Sequence, residues 1–313
     1  MNKIIVTTTI QPPTKATLLY CEKKDWKFIV VGDSKTPHEL YFDLEKKYPT
    51  FSYLSPEIQE KKYKKLSDLI GWKSIQRRNI GYIEAYKMGA EIIATVDDDN
   101  IPYEDWGKDL LIDKTVEIDL YEPKTNVFDP LSITQNNQLW HRGFPIQMLK
   151  ERLNVEYKGK IKRKVLVQAD LWDGDPDIDA LARLTYNPIV KYSDITAPYG
   201  SDKISPFNSQ NTFLSRIVIP FYAVLPHVGR MDDIWGAYIL QNFFPNSVIY
   251  NKASVYQERN KQDLITNLEK EIIGYRGTLN LINDLKNYEN FLPANTLRFY
   301  NEYRSNFAKQ KIK

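Results

Sequence analysis

Three apolar segments in the first hundred residues constrain the fold of this chain most strongly. They are KIIVTTTI (3–10), KFIVVGD (27–33) and EIIATV (91–96), and none alternates regularly between apolar and polar residues. Strands of this kind are typical of a parallel sheet that helices cover on both faces. A helical pattern, SIQRRNIGYIEAYKMGA (74–90), precedes the third segment. The alternation predicts an α/β protein with a Rossmann-like, mixed but mostly parallel sheet flanked by helices.

Polar side chains follow each of these strands at its carboxyl end. They belong to Thr7 to Thr9, to the Gly32-Asp33 turn and to Asp97 to Asp99. In open parallel sheets, ligands bind beyond the carboxyl ends of the strands. The sequence therefore predicts one crevice that receives polar groups from three strands.

The three aspartates place three negative charges on one short piece of backbone. Like charges repel by about 1 kcal/mol per pair at ~4 Å even in bulk water, so a positive partner is expected. Alternate side chains of an extended chain share a face, so Asp97 and Asp99 are predicted to point together and Asp98 away. Two carboxylates on one face suit Mg²⁺ or Mn²⁺, with water and phosphate oxygens completing the shell. The alternative is a turn cluster whose carboxylates bond to neighbouring backbone.

The helix predicted over residues 74–90 has polar residues on and beside its apolar face. Ser74 is its predicted N-cap. On a helical wheel Asn79 lies in the middle of the apolar face, Arg78 borders it, and Arg77 points away. An unpaired buried Asn costs about 1–3 kcal/mol, so Asn79 needs partners. Either it bonds to nearby backbone and Arg78 is a surface charge, or both residues serve a ligand site.

Composition excludes several classes of protein. Of 313 residues, 42% are hydrophobic and 27% charged, which is enough apolar material for a proper core. A net charge of +3 argues against a general nucleic-acid binder. A single cysteine, Cys21, and three histidines without H-x-x-x-H spacing argue against disulfides and a zinc site. No signal-peptide pattern or long apolar window is found, so we expect no transmembrane segment and a cytoplasmic location, free or peripheral to a membrane.

The order of these motifs resembles a known group of enzymes. A strand, Gly-Asp, RRNIGYIEA and VDDDN, in that order, are similar to the donor-binding half of nucleotide-sugar-dependent glycosyltransferases with the GT-A fold. A longer resemblance, to the STELLO-type glycosyltransferase family, covers nearly the whole chain up to about residue 290. It includes IVTTTIQPPT (5–14), WKFIVVGDSKTP (26–37), YLSPEIQ (53–59), RRNIGYIEAYKMGAEIIATVDDDN (77–100), LWHRGFPIQ (139–147), DGDPDIDALARLT (173–185), PFNSQNT (206–212), DDIWGAYILQ (232–241) and YQERN (256–260).

The resemblance implies a GT-A fold and roles for individual residues. Thr7, Thr8 and Asp33 would contact the nucleoside, Arg78 and Asp98 the donor, and Asp97 and Asp99 the ribose and a divalent metal, Mn²⁺ or Mg²⁺. The implied substrates are a nucleoside diphosphate sugar and a glycan or small-molecule acceptor.

A more remote resemblance is to the UDP-arabinopyranose mutases, or reversibly glycosylated polypeptides. They share the triple aspartate, an Arg-Gly-aromatic-Pro segment and an Asp-Asp-x-Trp segment. The arginine that becomes glycosylated in the mutases corresponds to Arg142. The mutases carry a second arginine where this chain has Leu149, and a histidine where it has Asn251. These departures weaken a mutase assignment.

Two acidic segments of the second half complete the predicted site. DGDPDID (173–179) is not an EF-hand loop, since Ile178 and Leu184 occupy positions that require Gly and Glu. It is either an Asp-rich turn or, because Asp177 and Asp179 match both families, a site for sugar hydroxyls.

The other acidic segment is RMDDIW (230–235). It offers Asp232 and Asp233 as candidate general bases, with Trp235 as an apolar platform for the sugar. We favour Asp233 as the base. The alternative is a helix N-terminus that is simply rich in acids.

The organisation predicted from the sequence is one GT-A domain with a helical extension. Residues 1–106 would form the nucleotide-sugar-binding half, residues 107–262 the acceptor and sugar half, and residues 263–313 a helical segment packed on both. The basic run 158–164 is predicted to be the solvated tip of a hairpin.

Three functions remain open from the sequence. They are a metal-dependent transferase using a UDP-sugar or a related donor, a mutase acting through a covalent sugar on Arg142, and a non-catalytic sugar-nucleotide-binding protein. The sequence does not predict the oligomeric state.

Overall fold

The computed structural model of the chain describes residues 1–259 and 262–307. In these residues eleven strands form one sheet. The strands are β1 (Lys3–Thr9), β2 (Lys27–Gly32), β3 (Phe51–Leu54), β4 (Ile92–Val96), β5 (Asn100–Pro102), β6 (Thr115–Pro123), β7 (Val155–Lys164), β8 (Val167–Gly174), β9 (Tyr199–Gly200), β10 (Asn211–Ser215) and β11 (Val248–Gln257). Their order is β3-β2-β1-β4-β10-β8-β11-β9-β6-β7, and β5 pairs with β11.

Helices flank this sheet. The α-helices are α1 (Lys15–Cys21), α2 (His38–Lys47), α3 (Pro56–Ile70), α4 (Arg78–Lys87), α5 (Ala180–Tyr186), α6 (Asp232–Phe243), α7 (Leu264–Asn283) and α8 (Ala294–Ser305). Short 3₁₀ segments lie at Ile75–Arg77, Ile146–Met148, Arg216–Phe221, Gly229–Met231 and Leu285–Phe291. The predicted α/β class with a mixed, helix-flanked sheet is confirmed. None of the helices in the described ranges is long and apolar enough to cross a bilayer.

The first four strands run parallel, as the apolar sequences of β1, β2 and β4 predict; β3 was not predicted from the sequence. β2 lies between β1 and β3, and β1 lies between β2 and β4. Thr9 at the end of β1 is in register with Gly32 at the end of β2. The polar groups that follow these strands therefore meet at one edge of the sheet.

Two later strands bring further groups to the same edge. β10 runs antiparallel to β4 and pairs Asn211 with Val96, so the loop before β10 adjoins the aspartates. The Asp97 amide donates to the Gln210 carbonyl at 3.2 Å. β11 ends at Gln257, and the next residue, Glu258, donates its amide to the Asp99 carbonyl at 3.1 Å.

The helix predicted over residues 74–90 begins differently from the expectation. Residues 75–77 form a 3₁₀ turn, and α4 begins at Arg78. Ser74 does not cap it with its side chain, and its amide donates to Asp33 at 3.0 Å. The predicted end is correct, since the chain leaves the helix at Gly89, where φ is +77°. The Ser74 hydroxyl donates to the Gln76 side chain instead of accepting from a helix amide.

The predicted hairpin tip at residues 158–164 is wrong. These residues belong to β7, which pairs antiparallel with β6 and pairs Lys164 with Thr115. β7 is the last strand in the sheet order. Lysines on an edge strand discourage pairing with other chains, which accounts for the basic composition.

The C-terminal helices pack against the rest of the molecule. Leu281 of α7 belongs to the same buried apolar cluster as Ile4 of β1. The α8 residue Tyr300 donates its hydroxyl to the Phe221 carbonyl at 2.9 Å. The predicted division into residues 1–262, with halves meeting at 106, and 263–313 stays a prediction, and residues 260–261 and 308–313 lie outside the described residues.

Candidate active site

Two adjacent cavities lie along the edge where the strands end. The smaller has a volume of about 320 Å³ and the larger about 480 Å³. Both are lined by Lys73, Ser74 and Ile75, which therefore form the boundary between them. The smaller cavity is also lined by Thr8, Thr9, Asp33 and Asp98, and the larger by Asp97, Asp99, Arg142, Asp177, Asp232 and Asp233.

The three aspartates divide between the cavities as backbone alternation predicts. Asp97 and Asp99 line the larger cavity and Asp98 the smaller. The Thr9 hydroxyl donates to the Asp98 carboxylate. Thr14, the N-cap of α1, donates its hydroxyl to the Asp98 carbonyl at 2.5 Å. The end of β4 is thereby fixed to the end of β1 and the start of α1.

Arg78 supplies a positive partner for the aspartates from within the protein. Its Nη2 lies 2.5 Å from Asp97 Oδ1, and Nη1 donates to the Ser209 carbonyl at 2.7 Å. Burial by itself would lower the pKa of this guanidinium, but the Asp97 charge raises it above its ordinary value. Arg78 is buried and lines neither cavity, so it holds Asp97 in position instead of facing a ligand.

Asp99 has no comparable partner. Its Oδ1 is buried without a hydrogen bond in the described part of the chain. Burial, followed by the charges of Asp97 and Asp98, raises the pKa of Asp99 to about 7. Within residues 1–259 and 262–307, no group of three or more His, Cys, Asp or Glu side chains is placed to hold a metal ion. The pair of carboxylates fits a cation whose remaining ligands are water and phosphate oxygens, because Mg²⁺-type sites commonly use one or two protein carboxylates.

The threonines of β1 use their hydroxyl groups inside the sheet. Thr7 donates to the Val96 carbonyl and Thr8 to the Val31 carbonyl, each at 2.7 Å. Of these two threonines, Thr8 lines the smaller cavity and Thr7 lines neither cavity. The structure thus corrects the assignment of Thr7, which ties β1 to β4 and has no surface toward a nucleoside.

Asp33 lines the smaller cavity, and both of its carboxylate oxygens accept hydrogen bonds from backbone amides. Oδ1 accepts from the Lys73 amide at 2.9 Å and the Ser34 amide at 2.5 Å, and Oδ2 accepts from the Ser74 amide at 3.0 Å. Burial by itself would raise the pKa of Asp33, but these hydrogen bonds lower it below its ordinary value. Asp33 therefore fixes the neighbouring loop in addition to forming the cavity wall.

Asn79 resolves the alternatives left open for the α4 helix. Its side-chain amide donates to the Val224 carbonyl at 2.7 Å, and its oxygen accepts from the Val224 amide at 2.9 Å. The side-chain amide also donates to the nearby Gln76 carbonyl at 2.6 Å, so Asn79 bonds to backbone of both its own turn and a distant segment. Asn79 holds this segment, which leads into α6, against α4.

A buried arginine joins the acidic residues of the larger cavity. Arg142 Nη2 lies 2.8 Å from Asp177 Oδ2 and 2.9 Å from Asp233 Oδ1, and Nη1 lies 3.7 Å from Asp232 Oδ1. Nη1 also donates to the Arg230 carbonyl. Burial by itself would lower the pKa of Arg142, but the three carboxylates raise it well above its ordinary value. The arginine is permanently charged, and each of its nitrogens is engaged.

Asp232 and Asp233 differ in their surroundings. Asp233 Oδ2 accepts from the amide and the hydroxyl of Ser209, at 2.9 and 3.1 Å. Asp232 accepts from the Gln76 side chain at 2.8 Å. Burial, and then the charge of Asp233, raises the pKa of Asp232 to about 7. Asp233, which was favoured as the base from the sequence, is held by Ser209 and Arg142, whereas the raised pKa of Asp232 suits a proton acceptor near neutral pH.

Asp179 and Trp235 are corrections to the predicted site. Neither lines either cavity. Asp179 is fully buried as the N-cap of α5 and accepts from the Tyr275 hydroxyl at 3.1 Å. Trp235 lies in the apolar core and donates its indole N–H to Thr278 at 2.9 Å. Asp179 is not available to a sugar because its carboxylate caps α5. Trp235 is not available because it lies on the core side of α6.

Helix α7 supplies a residue of the site that the sequence did not reveal. Glu271 is fully buried, and its Oε1 accepts from Arg230 Nε at 2.8 Å. Arg230 in turn lies 3.2 Å from Asp177. Burial alone would raise the pKa of Asp177, but three arginines, Arg142 foremost, hold it well below its ordinary value. Two glycines allow this close packing: a Cβ at Gly229 would lie 2.1 Å from the Lys270 carbonyl, and a Cβ at Gly274 would lie 2.5 Å from Met231 Sδ.

Comparison with curated proteins identifies relatives of the chain. It is 23% identical over 301 residues to the probable glycosyltransferase STELLO2 of Arabidopsis thaliana, covering 87% of this chain and 39% of that protein. It is 25% identical over 229 residues to the probable glycosyltransferase STELLO1 of the same plant, covering 67% of this chain and 29% of that protein. The chain is therefore similar to the STELLO-type glycosyltransferases. It spans less than half of the length of these STELLO proteins. No family model matches the chain.

Two solved structures show a weaker likeness. One is the mannosyltransferase PcManGT of Pyrobaculum calidifontis in complex with GDP-Man and Mn²⁺, with a TM-score of 0.45, 10% identity, and coverage of 96% of this chain and 73% of that chain. The other is glucosyl-3-phosphoglycerate synthase of Mycobacterium tuberculosis in complex with phosphoglyceric acid, with a TM-score of 0.43, 10% identity, and coverage of 89% and 78%. Both TM-scores lie below 0.5.

Proposed function

We propose that this STELLO relative is a metal-dependent glycosyltransferase with a GT-A arrangement that takes its sugar from a nucleoside diphosphate sugar. The observation that carries the proposal is the pair of adjoining cavities, with Asp98 on one side of their boundary and Asp97 and Asp99 on the other. A donor of this class has three parts: a nucleoside, a diphosphate and a sugar. The smaller cavity would receive the nucleoside and the larger one the sugar, with the diphosphate crossing residues 73–75.

Asp97 and Asp99 are the proposed ligands of the divalent ion, Mn²⁺ or Mg²⁺. The unpaired Asp99 oxygen supports this, since a buried carboxylate without a partner is costly. When bound, the ion would neutralise charge that grows on the departing nucleoside diphosphate. Arg78 keeps the Asp97 carboxylate oriented toward the cavity.

Asp232 is the proposed general base for the acceptor hydroxyl. Its pKa, raised to about 7 by burial, suits proton abstraction near neutral pH. In the proposed step the acceptor oxygen bonds to the anomeric carbon and its proton passes to Asp232. The bond from that carbon to the β-phosphate oxygen breaks, and the electron pair leaves with the nucleoside diphosphate. One displacement of this kind inverts the anomeric centre.

The contacts of Arg142 argue against the mutase alternative. A covalent sugar would require one of its nitrogens to be free of its proton and of its partners. Asp177, Asp232 and Asp233 instead surround the guanidinium and favour its charged form. We assign Arg142 the role of positioning these carboxylates.

The donor is proposed to be a UDP-sugar or a GDP-sugar, and the acceptor a glycan or a small molecule with a free hydroxyl group. The test is isothermal titration calorimetry with a panel of UDP- and GDP-sugars, with and without Mn²⁺. We expect binding of at least one donor that Mn²⁺ strengthens and that Asp99→Asn abolishes or weakens about tenfold or more.

Asp109→Asn is the matched control, because Asp109 is exposed and lines neither cavity. Asp99→Asn is preferable to an Asp97 variant, since among residues 1–259 and 262–307 Asp99 has no ion pair whose loss would disturb the fold. Metal-independent binding that is identical in wild type and Asp99→Asn would overturn the proposed metal site. Tight donor binding with neither hydrolysis nor transfer would favour the non-catalytic alternative.

A further inference from the structure

The boundary between the two cavities is formed by a short loop that is unusually well anchored. We call residues 71–74, which follow α3, the seam loop. Asp33 accepts hydrogen bonds from the amides of Lys73 and Ser74, at 2.9 and 3.0 Å. Two consecutive amides held by one buried carboxylate leave the loop little freedom at this point.

A buried arginine anchors the other end of the seam loop. Arg77 is fully buried, donates from Nη1 to the Gly71 carbonyl at 2.9 Å, and stacks on the Trp72 ring at 3.4 Å. Its other hydrogen bonds go to neutral groups, Gln59 and Ser67 of α3. Burying a charge with neutral partners is costly, and burial lowers the pKa of Arg77 to about 10. The buried Arg77 guanidinium thus holds the seam loop in position although its burial is costly.

Lys73 is the exposed lysine of the seam loop, at the boundary of the two cavities. Its backbone has φ of +61°, in the left-handed region that a side chain with a Cβ disfavours. Its side chain is exposed and lines both cavities. In the described ranges the Lys73 ammonium makes no hydrogen bond or ion pair, so its charge is free for a ligand.

We propose that the Lys73 ammonium binds the diphosphate of the donor and stabilises the departing nucleoside diphosphate. The inference rests on the proposed function and adds a residue to it. A diphosphate crossing the boundary passes next to three aspartates, and Arg78 is already committed to one of them. Lys35 lines only the smaller cavity and Lys270 only the larger, whereas Lys73 lines both, at the point where the diphosphate would cross. A lysine is suited to this because its ammonium is a compact point charge that binds phosphate without fixed geometry.

The left-handed backbone of Lys73 supports a role in binding over a role in folding. Glycine adopts this conformation at no steric cost, so a purely structural loop would be served better by glycine. A lysine here keeps a strained conformation and gains a charge at the cavity boundary. Strained positions of this kind concentrate at ligand sites.

The experiment compares Lys73→Gln and Lys73→Gly with two controls. The control for lost charge is Lys24→Gln, an exposed lysine outside both cavities. The control for the backbone change is Asn246→Gly, an exposed residue with φ of +56° outside both cavities. Calorimetry measures the binding of UDP, GDP, uridine and guanosine in MnCl₂, and a thermal melt measures folding.

We expect both Lys73 variants to bind the preferred nucleoside diphosphate about tenfold more weakly than wild type. This is the effect of losing one charge-assisted hydrogen bond. Their affinity for the free nucleoside should equal that of wild type. Lys73→Gly should melt at or above the wild-type temperature, since it relieves the strain, and both controls should bind as wild type does.

Two results would overturn the inference while leaving the proposed function intact. One is unchanged diphosphate binding by both Lys73 variants. The other is an equal loss for the nucleoside and the diphosphate, which would assign the effect to the shape of the loop. Failure of the wild-type protein to bind either UDP or GDP would instead overturn the proposed function itself.

Discussion

The Arg78 guanidinium lies 2.5 Å from the Asp97 carboxylate, and the arginine is the buried partner of this pair. The side chain of Arg78 is 1% exposed and that of Asp97 is 28% exposed. Arg78 also bonds to the Ser209 carbonyl in the loop before β10. The pair thereby connects the acidic end of β4 with a strand that lies more than a hundred residues away in the chain.

Removing Asp97 should therefore affect folding as well as ligand binding. Asp97→Ala leaves a buried guanidinium without its carboxylate, and breaking a buried pair costs about 3–5 kcal/mol. Because Asp97 is partly exposed, we expect a loss of about 2–3 kcal/mol in the free energy of unfolding, measured by urea denaturation.

Asp99→Asn is the comparison for this prediction. The Asp99 carboxylate has an unpaired oxygen and a raised pKa, so replacing it should leave the free energy of unfolding unchanged or higher. The double variant Arg78→Met with Asp97→Ala should recover part of the loss. Equal stabilities of Asp97→Ala and Asp99→Asn would contradict the assigned role of Arg78.

The division of the aspartates between two cavities was predictable because it depends on local backbone geometry. Side chains alternate along an extended chain whatever surrounds it. The ion pair of Asp97 with Arg78 was not predictable in this way, since it depends on how α4 packs on the sheet. The sequence pointed instead to a metal ion as the missing positive charge, and the protein supplies part of that charge itself.

Arg77 was predicted on the wrong side of its helix because a 3₁₀ turn was treated as α-helix. The helical wheel turns by 100° per residue and directs Arg77 away from the core. Residues 75–77 are a 3₁₀ turn, with 3.0 residues per turn instead of 3.6, so the wheel fails there. Arg77 is fully buried against α3 and anchors the seam loop. Glu271 was missed for a different reason, because Gly229 and Gly274 permit a close approach but do not indicate which residue of α7 reaches Arg230.

The proposed base predicts the pH dependence of transfer. Asp232 must be ionised to accept a proton, and its pKa is raised to about 7. With saturating Mn²⁺, kcat/KM should fall about tenfold per pH unit below pH ~7 and level off above it. The neighbouring charges are Asp233, which raises this pKa, and Arg142 and Arg230, which lower it. Release of nucleoside diphosphate from the bound donor is the measurement.

Two variants separate the roles of the paired aspartates. Asp232→Asn should lower turnover by about 10²- to 10⁴-fold and remove the inflection. Asp233→Asn should keep an inflection and shift it to lower pH, because a like charge next to Asp232 is lost. The assignment of the base is reversed if Asp233→Asn removes the inflection and Asp232→Asn retains it.

Arg142 should carry no covalent sugar during turnover. Its nitrogens are engaged by Asp177, Asp233 and the Arg230 carbonyl, and its charged form is favoured. Intact-mass spectrometry after incubation with the bound donor should give the mass of the unmodified protein. An added hexose or pentose that is absent in Arg142→Lys would support the mutase alternative instead.

The buried pair of Asp179 and Glu271 predicts how stability depends on pH. Both accept from the Tyr275 hydroxyl, at 3.1 and 3.0 Å. Burial, and then the charge of Glu271, raises the pKa of Asp179 to about 7. An unfolded aspartate ionises near pH ~3.9, so between this value and pH ~7 the folded state binds more protons. The contribution of Asp179 to stability is therefore present below pH ~4 and is lost as the pH rises to about 7.

Asp179→Asn should remove this pH dependence and retain the helix cap, because Asn is as good an N-cap as Asp. Between pH 5 and pH 8 the free energy of unfolding of the variant should rise progressively above that of wild type. The difference should reach about 1–4 kcal/mol at pH 8, at about 1.36 kcal/mol per pKa unit. Urea denaturation at several pH values measures the difference, with the exposed Asp109→Asn as the control. A difference between Asp179→Asn and wild type that stays constant from pH 5 to pH 8 would show that Asp179 is ionised throughout.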